Sequence, residues 1–354
     1  MSDQSFSPAL LEGLLQGKDL SGGQASVLMR AWLAGEIEPV VSGALLAGLR
    51  SKGVNGEELA AMAAVLRDAC AVPGERPAVP LVDTCGTGGA AVESGLESFN
   101  ISTAVAFTAA ACGVTVAKHG NRSASGRVGS ADVLEALGIN LAAPSGIALA
   151  ALGQVGVTFL FAPGWHPALA GLAPLRRALG VRTVFNLLGP LVNPLRPQAH
   201  VLGVARADLL DPMAEALRRL GMTRAIVLHG HGGLDEATLS GPSELRVLEH
   251  GTIRSAWLDP TALGLAPAPP EALAGGDLAT NRAILEAVLQ GRGSQAQSDA
   301  VGLNAALVLW VAERCNDFAD GLAQAQQALR SGSPWQRLEA LRLALDSAAN
   351  GAER

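Results

Sequence analysis

Residues 83–138 read DTCGTGGAAVESGLESFNISTAVAFTAAACGVTVAKHGNRSASGRVGSADVLEALG, and the rest of the chain is organised around this stretch. A short apolar run, LVDT, enters the glycine-rich turn 86–89, and a second apolar run, VTVA, leads into the loop KHGNRS. The alanine-rich run between them predicts a buried helix. The stretch therefore predicts a βαβ-like unit in which both strand ends carry glycine, hydroxyl, amide and cationic groups.

These two loops are typical of a site for an anion with several phosphates. Glycines let backbone N–H groups approach a ligand, and a following helix N-terminus favours negative charge. Each piece has a simpler interpretation as well: GTGG as an ordinary turn, Asn100 or Ser102 as a helix cap, and KHGNRS as a solvated loop. Because strand ends at one edge of an α/β sheet are where ligands collect, the two loops together favour the phosphate site.

Six motifs resemble one known family: GTGG, FNIST, VAKHGNRS, GSADVLEALG, RTVFNLLGPLVNP and GLDE. In this order and spacing they are similar to anthranilate phosphoribosyltransferase, which joins anthranilate to phosphoribosyl pyrophosphate (PRPP) in tryptophan biosynthesis. The resemblance covers residues 21–345, nearly the whole chain. It implies an α/β fold of the nucleoside phosphorylase and phosphoribosyltransferase type.

The apolar pattern along the chain predicts two domains. Residues 8–72 carry apolar residues at spacings of three and four in four segments, with Ser21 as a candidate N-cap. After a proline-bearing linker, strand candidates alternate with helical stretches, which predicts a mainly parallel central sheet. We therefore expect an N-terminal α-helical domain, residues 1–72, and a larger α/β domain, residues 73–354.

Strand candidates are LVDT, VTVA, VTFLFA, HVLGVA and AIVLHG, and residues 239–260 predict a hairpin around Gly251. Residues 277–348 are predicted to be helical and to close over the sheet. The resemblance further implies that residues from about 166 to 195 rejoin the helical domain. The cleft would then lie between the domains, where substrate sites are common.

Composition limits the location and the partners of the protein. The net charge of −6 argues against a nucleic-acid scaffold, which normally presents a basic face. Four cysteines without CxxC spacing predict buried free thiols in a reducing compartment. The first residues lack the pattern of a signal peptide, and no apolar run is long enough to span a bilayer. We expect a cytoplasmic protein that binds neither membrane nor nucleic acid.

The segment HGHGGLDE, residues 229–236, is the second candidate site. Asp235 and Glu236 follow a strand candidate and a glycine turn, and paired carboxylates suit Mg²⁺ together with phosphate oxygens and water. A capping or solvated acidic pair is the simpler alternative. His229 and His231 are poor evidence for zinc, because no further ligands follow them. Across from a phosphate loop, the acidic pair predicts a Mg²⁺ site.

Arginine can hold a carboxylate through two parallel hydrogen bonds, and anthranilate carries one carboxylate. Matching to the family motif places Arg176 on that group. The alternative is that Arg176 and Arg177 are solvent-facing helix residues, which is our interpretation of Arg177. Asn121 falls where the family contacts anthranilate, and His166 in HPAL lies close to that pocket.

The resemblance implies a role for each further site residue. PRPP is expected on ten positions: Gly86, Gly88, Gly89, Ser98, Asn100, Ile101, Ser102, Thr103, Lys118 and Ser130. Anthranilate is expected on Gly86, Asn121, His166 and Arg176. The Mg²⁺ cofactor is expected on Ser102, Asp235 and Glu236. The family also implies a homodimer through the helical domain.

No covalent or dedicated acid–base residue is expected. The amine of anthranilate is already a nucleophile, and breaking the bond from ribose C1 to pyrophosphate develops negative charge on the leaving group. Catalysis then rests on positioning and on electrostatic stabilisation of pyrophosphate by Mg²⁺, Lys118 and backbone N–H groups.

One loop departs from the family pattern. After GTGG the family usually continues with Asp-Gly and a short linker, whereas residues 90–98 here read AAVESGLES, which is longer and lacks that aspartate. HPALA also replaces the more usual HPAMK. We expect activity to survive, because such loops bind phosphate chiefly through backbone N–H groups. Glu93 and Glu97 are expected to face solvent, since inward carboxylates would repel pyrophosphate.

Two other functions remain open from the sequence. A nucleoside phosphorylase of related architecture would have little use for the Asp235–Glu236 pair or for the Arg176 motif. A non-catalytic homologue that binds nucleic acid is disfavoured by the acidic pI of about 5.6 and by the intact KHGNRS and GLDE motifs.

Overall fold

A computed structural model describes residues 8–70, 72–90, 95–122 and 128–346. Its N-terminal part is a bundle of four helices: α1 (Pro8–Leu15), α2 (Gly22–Ala34), α3 (Pro39–Lys52) and α4 (Gly56–Asp68). Ser21 caps α2 as predicted, because its side chain accepts from the backbone N–H of Gln24 and the Gln24 side chain accepts from the N–H of Ser21. Asn55 caps α4 in the same way. These caps fix where the bundle helices begin.

The larger part of the described chain is built on seven strands: β1 (Val82–Gly86), β2 (Val116–Gly120), β3 (Val157–Phe161), β4 (Ala199–Gly203), β5 (Arg224–His229), β6 (Ser243–Glu249) and β7 (Thr252–Leu258). The helices up to β5 are α5 (Ile101–Ala111), α6 (Ser130–Ala136), α7 (Ser145–Val155), α8 (Ala162–Trp165), α9 (Ala173–Leu179), α10 (Val184–Leu188) and α11 (Leu210–Arg219). Four helices end the described chain: α12 (Leu278–Leu289), α13 (Gln295–Val311), α14 (Phe318–Ser331) and α15 (Ser333–Asp346).

The strands form one sheet in the order β3-β2-β1-β4-β5-β6-β7. The first five pair in parallel, while β5–β6 and β6–β7 are antiparallel. The predicted hairpin is therefore confirmed, with His250 and Gly251 at positive φ in its two-residue turn. The mainly parallel sheet beside a helical bundle confirms the expected fold class.

Side chains alternate between the two faces of a sheet along each strand. In the central strands both faces are buried. In β5, Ile226 and Leu228 belong to the core that includes α5 and α13. Ala225 and Val227 belong to the other core, which includes α11 and the four-helix bundle. The sheet is thus packed between its own helices on one side and the N-terminal bundle on the other. This leaves the carboxyl ends of the parallel strands as an open edge.

Residues between β3 and β4 connect that edge to the bundle. Helix α9 packs against α3, and α10 packs against α3 and α4. The short 3₁₀ segment Pro167–Leu172 contacts α2. The chain that follows β3 therefore lies beside both the bundle and the strand ends.

Two further findings concern membrane-spanning helices and the state of the cysteines. Across the described ranges, none of the helices combines the length and the apolarity that crossing a membrane requires. The four cysteines are free, and each is half-buried rather than fully buried as the sequence had suggested.

Candidate active site

A cleft of about 330 Å³ opens at the carboxyl ends of β1, β2 and β5. Among the described residues, its walls come mostly from stretches far apart in the chain: 85–90, 97–100, 118–122, 128–130, 182–190 and 235–236. Most of the predicted site residues line it, namely Gly86, Gly88, Gly89, Ser98, Asn100, Ser102, Lys118, Asn121, Ser130, Asp235 and Glu236. The fold therefore brings the two strand-end loops and the acidic pair to one place.

The acidic loop lies directly against two strand-end glycines. Gly86 and Gly203 are partners in the register of β1 and β4. A Cβ at Gly86 would overlap the Asp235 carboxylate, and one at Gly203 would overlap the Asp235 backbone carbonyl. Oδ2 of Asp235 also accepts a hydrogen bond of 2.7 Å from the N–H of Gly88. The absence of side chains at the two strand ends is what lets the carboxylate reach the glycine loop.

Asp235 and Glu236 are both half-buried at the cleft. Burial raises the pKa of each carboxyl, and the charge of Asp235 raises that of Glu236 further. The hydroxyl of Ser98 donates to Glu236 Oε2 at 3.4 Å, and the nearby Arg182 opposes the rise at Asp235. Adjacent carboxylates that repel each other in a partly dry site fit a hard divalent cation, whose charge would relieve that repulsion.

Lys118 holds a buried ammonium group beneath the same cleft, with 2% of the residue exposed. Its Nζ donates to the Thr84 carbonyl at 2.7 Å and to Ser102 Oγ at 3.1 Å. Burial lowers its pKa, and the charges of Asp83, Glu236 and Asp235 oppose that change. A cation held by two neutral oxygens in a place of low dielectric interacts strongly with any anion that enters.

The N-terminus of α5 meets the cleft at Asn100. This residue occupies the N-cap position without making a side-chain cap bond. Its Nδ2 donates instead to the Val128 carbonyl at 3.1 Å, while its Oδ1 is buried without a partner among the described residues. The capping interpretation of Asn100 is therefore wrong. A helix start without a side-chain cap suits an anionic ligand.

Ile101 and Thr103 are not among the residues that line the cleft. Both are fully buried, and their N–H groups already donate to the Phe99 and Asn100 carbonyls at 2.6 and 3.1 Å. Of the four residues in NIST, the structure thus brings only Asn100 and Ser102 to the ligand side.

The chain that leads into α5 is clamped against the segment before α12. Gly275 donates its N–H to the Glu97 carbonyl at 2.9 Å, and Phe99 donates to the Leu273 carbonyl at 3.0 Å. Because this pairing fixes its backbone, Glu97 is half-buried in the cleft wall, so the expectation that it faces solvent is wrong. Glu93, the other acidic residue of this loop, lies outside the described residues.

The four residues expected to bind anthranilate are spread over a wider region. Gly86 and Asn121 line the cleft, whereas His166 and Arg176 do not. The ring of His166 lies edge-on to that of His119, with 5.1 Å between the ring centroids, and its Nδ1 is 3.0 Å from the Cys70 sulfur. His166 therefore reaches the cleft only through His119.

His119 lines the cleft on this side, and the sequence interpretation gave it no role. Its Nδ1 lies 3.2 Å from the Gly189 carbonyl, which makes it the donor, and its Nε2 is buried without a partner in the described chain. Burial lowers the pKa of His119 and of His166 to about 4. Both rings are neutral near pH 7, and His119 presents an acceptor nitrogen.

Arg176 lies on α9 with its guanidinium 5.5 Å above the Phe185 ring. It is half-buried, and burial lowers its pKa. Within the described ranges no carboxylate pairs with Arg176. Arg177, by contrast, is exposed. A partly dehydrated cation over an aromatic ring is suited to a planar carboxylate ligand.

Sequence reasoning missed two more residues, one buried beneath the cleft and one lining it. Asp83 is fully buried and accepts from the N–H groups of Thr84 and His119 and from Asn193 Nδ2, at 2.8, 3.1 and 2.8 Å. It ties the ends of β1 and β2 to the segment that follows α10. Arg182 lines the cleft and donates to the Thr87 carbonyl at 2.7 Å. Both residues lie in stretches that the sequence analysis quoted, and their polar side chains had been given no role there. That position was the sequence evidence that could have identified them.

Comparison with known proteins identifies the family of this chain. Residues 8–70 match the helical bundle domain of the glycosyl transferase family, and residues 78–334 match the a/b domain of that family. Anthranilate phosphoribosyltransferase of Parasynechococcus marenigrum is 65% identical over 338 residues, which cover 96% of this chain and 95% of the relative. The chain belongs to the anthranilate phosphoribosyltransferase family. The resemblance read from the six motifs is thereby confirmed.

Other members of the family agree in sequence and in fold. The anthranilate phosphoribosyltransferase of Prochlorococcus marinus is 63% identical over 95% of this chain and 95% of its own length. The crystal structure of the Thermus thermophilus enzyme superposes with a TM-score of 0.87 at 44% identity, covering 95% of this chain and 99% of that chain. The Saccharomyces cerevisiae enzyme in complex with PRPP and Mg shares the fold at 23% identity, with a TM-score of 0.84, over 96% and 99% of the two chains.

Proposed function

We propose that this chain transfers the phosphoribosyl group of PRPP to the amine of anthranilate, giving N-(5-phosphoribosyl)anthranilate and pyrophosphate in tryptophan biosynthesis. The observation that carries the proposal is the hydrogen bond from Gly88 to Asp235, which joins the phosphate-type loop and the acidic pair in one cleft. Family membership favours this reaction over phosphorolysis of a nucleoside.

PRPP is proposed to lie along the glycine loop and the start of α5. Gly86, Gly88 and Gly89 offer a backbone without Cβ atoms, while Lys118 and the uncapped helix start add positive potential. Ser98, Asn100, Ser102 and Ser130 supply polar side chains at the same walls. Ile101 and Thr103 contribute by packing α5 beneath this site rather than by touching the ligand.

Mg²⁺ is the proposed cofactor, held by Asp235 and Glu236 with Ser102 at the phosphate side. The fit rests on the two carboxylates, whose pKa values are both raised by burial, with the charge of Asp235 raising that of Glu236 further. The yeast enzyme of the same fold has been crystallised with PRPP and Mg. When bound, Mg²⁺ supplies positive charge that stabilises the departing pyrophosphate.

The residues of the chain itself also stabilise the departing pyrophosphate, through their position and their charge. Lys118, fixed by Thr84 and Ser102, faces the region where the leaving group gains negative charge. The N–H groups of the glycine loop add fixed dipoles there. Preorganised groups of this kind need no reorientation during the reaction, so no covalent residue or dedicated acid–base residue is required.

Anthranilate is proposed to approach from the side of α9 and α10. Arg176 would hold its carboxylate, and Asn121 and Gly86 would border its amine. His166 acts from behind His119, which lines the cleft and whose buried Nε2 has no partner among the described residues. The neutral state of both histidines keeps this region free of an added positive charge.

Two domains, residues 1–72 and 73–354, joined through residues 166–195, are part of the same proposal. The two family models match 8–70 and 78–334, which supports a boundary in the linker. The contacts of α9 and α10 with α3 support the join. The anthranilate side of the cleft would then be formed by the segment that connects the domains.

A homodimer through the helical domain is proposed as the working state. Val40 on α3 and Leu15 on α1 are 85% and 65% exposed, and α1 and α3 pack side by side. Exposed apolar side chains that come together when two copies meet are typical of an interface, and these two residues are offered as part of one. Sedimentation analysis of the wild type and of Val40→Asp tests the proposal; a monomeric wild type would contradict it.

A cytoplasmic location is proposed from the four free thiols, which are typical of a reducing compartment. Fractionation of cells that express a tagged chain tests this. Enrichment in an oxidising compartment would contradict it.

The proposed reaction is tested by the loss of anthranilate fluorescence with PRPP and Mg²⁺. Reactions without PRPP and with a chelator serve as controls. Consumption that needs both PRPP and the metal supports the proposal. Purified protein that leaves anthranilate unchanged while it phosphorolyses nucleosides would overturn it.

A further inference from the structure

The glycine loop that follows β1 has open space on both sides. The substrate cleft lies on one side, and a second cavity of about 90 Å³ lies on the other, bordered by α3, α10 and the start of the loop after β4. Thr87, Gly88 and Gly89 line both. Gly88 and Gly89 have positive φ values of 63° and 97°, which only glycine adopts readily. A Cβ at Gly88 would meet nothing within 4 Å, so the polar contacts of the loop contribute much to its position.

Within the described part of the chain, three polar contacts join Thr87 and Gly88 to their surroundings. Thr87 donates its N–H to the Gly203 carbonyl at 2.9 Å, and this bond continues the ladder between β1 and β4. Gly88 donates to Asp235 at 2.7 Å. Nη2 of Arg182 donates to the Thr87 carbonyl at 2.7 Å. Arg182 alone among the three partners comes from the segment that rejoins the helical bundle.

The guanidinium of Arg182 also supports Gly89 directly. A Cβ built at Gly89 would come within 2.6 Å of Arg182 Nη1, so the planar group lies flat against the glycine backbone. Arg182 lines the cleft, and its charge lowers the pKa of Asp235 against the effect of burial. It therefore sets the shape of the loop and adds positive potential at the same point.

Arg182 lies in the short link between α9 and α10. Gly180 is the C-cap of α9 in the left-handed conformation, with φ of 64°, and Thr183 is the N-cap of α10. Arg182 is thus held between two short helices, and α9 carries Arg176. This short link connects Arg176, on the proposed acceptor side of the cleft, to Arg182, which donates to Thr87 on the donor side.

We propose that Arg182 is a positioning residue for PRPP, which holds the glycine loop in its binding shape through the Thr87 carbonyl and Gly89. The inference rests on the proposed function and deepens it. Loss of Arg182 removes the support of the loop from the helical-bundle side. PRPP affinity then falls, while the anthranilate pocket keeps its residues.

The test compares Arg182→Met, Arg182→Lys and the matched control Arg177→Met, whose arginine is exposed on α9. PRPP binding is measured by calorimetry with Mg²⁺ present, and KM is measured for both substrates. We expect Arg182→Met to weaken PRPP binding about tenfold or more, the effect of one lost charged hydrogen bond, with the anthranilate KM within about twofold. Arg182→Lys should recover part of the affinity, because an ammonium still donates once to Thr87 but cannot lie flat on Gly89.

The outcomes separate the two proposals. PRPP affinity in Arg182→Met equal to that of Arg177→Met overturns the role of Arg182 alone. Equal losses for both substrates together with a lowered Tm also overturn it, since the arginine would then only support the fold. If Arg182→Met does not fold, PRPP affinity of Arg182→Lys equal to wild type overturns the role. A wild-type chain that binds no PRPP overturns the proposed function, and the role of Arg182 with it.

Discussion

Gly88 donates its backbone N–H to Oδ2 of Asp235 over 2.7 Å, across 147 residues of sequence. An N–H of a phosphate-type loop is thus bound to a carboxylate of the pair proposed to hold Mg²⁺. A phosphate oxygen would accept a hydrogen bond from the same N–H, and the metal would bind the same carboxylate. The two subsites are therefore adjacent, and binding of metal and of PRPP should each favour the other.

Replacing Asp235 and Glu236 by Asn and Gln should raise the Mg²⁺ requirement while the fold stays intact. The amides keep the shape of the side chains but remove the charge that attracts a hard cation. Initial rates are measured as Mg²⁺ is titrated, and direct metal affinity is measured by calorimetry.

The matched control for that double variant is Glu36→Gln, an exposed carboxylate on the bundle surface. It should leave the Mg²⁺ titration unchanged. A double variant whose curve overlays that of the wild type would show that the acidic pair is purely structural.

Arg176→Ala should weaken anthranilate binding far more than PRPP binding. The guanidinium is half-buried over Phe185, and losing its bond to a ligand carboxylate costs about 1.5–3 kcal/mol. Steady-state kinetics on both substrates measure the effect, with Arg177→Ala as the exposed neighbour for comparison. An unchanged anthranilate KM in Arg176→Ala would remove this residue from the site.

Gly203→Ala should disable the cleft although Gly203 touches no proposed substrate. The added methyl group would overlap the Asp235 carbonyl, so the acidic loop must move away from the end of β4. We expect a raised Mg²⁺ requirement and lost stability. Gly153→Ala is the control, because a Cβ there meets nothing within 4 Å and helix α7 should gain up to about 1 kcal/mol. Normal metal dependence in Gly203→Ala would argue against the close approach of the two loops.

Acid should destabilise the fold through its buried histidines. Burial lowers the pKa of His200 to about 3, below its ordinary 6.5. The folded state then binds fewer protons than the unfolded state between these values. Stability is therefore greatest above pH 6.5 and falls as the pH drops towards 3, by up to about 1.4 kcal/mol per pH unit for this group.

Urea unfolding of the wild type and of His200→Gln, measured across this pH range, checks the assignment. His119 and His166, with pKa values of about 4, act in the same direction in both proteins. The slope of stability against pH should therefore be shallower, but not zero, in His200→Gln. Identical slopes would show that His200 does not titrate differently on folding.

Much of the fold could be predicted from local patterns. Helical spacing marked the four bundle helices, and Ser21 marked the start of α2 through a cap that involves only three neighbouring residues. Apolar runs marked all five parallel strands within a few residues of their bounds. Each of these features depends on side chains near one another in the chain, so the sequence alone determined them.

The roles of individual residues could be predicted less well. Glu97 was expected in solvent and lies in the cleft wall, because its backbone pairs with Gly275 from the segment before α12. Arg182 and His119 belong to quoted motifs, yet nothing in those motifs states which neighbours they meet. Burial lowers the pKa of both histidines, His119 and His166. The sequence does not show which residues are buried.

The sequence by itself determined which chemical groups the protein has and which local elements carry them. Only the tertiary structure decided that Gly86 and Gly203 stand side by side in the sheet, leaving room for Asp235. Strand register is a cooperative property of distant segments, and it fixes distances that no single segment specifies. The glycine loop, the acidic pair and Arg182 become one site because parallel strands end at a common edge, where groups far apart in the chain come within hydrogen-bonding distance.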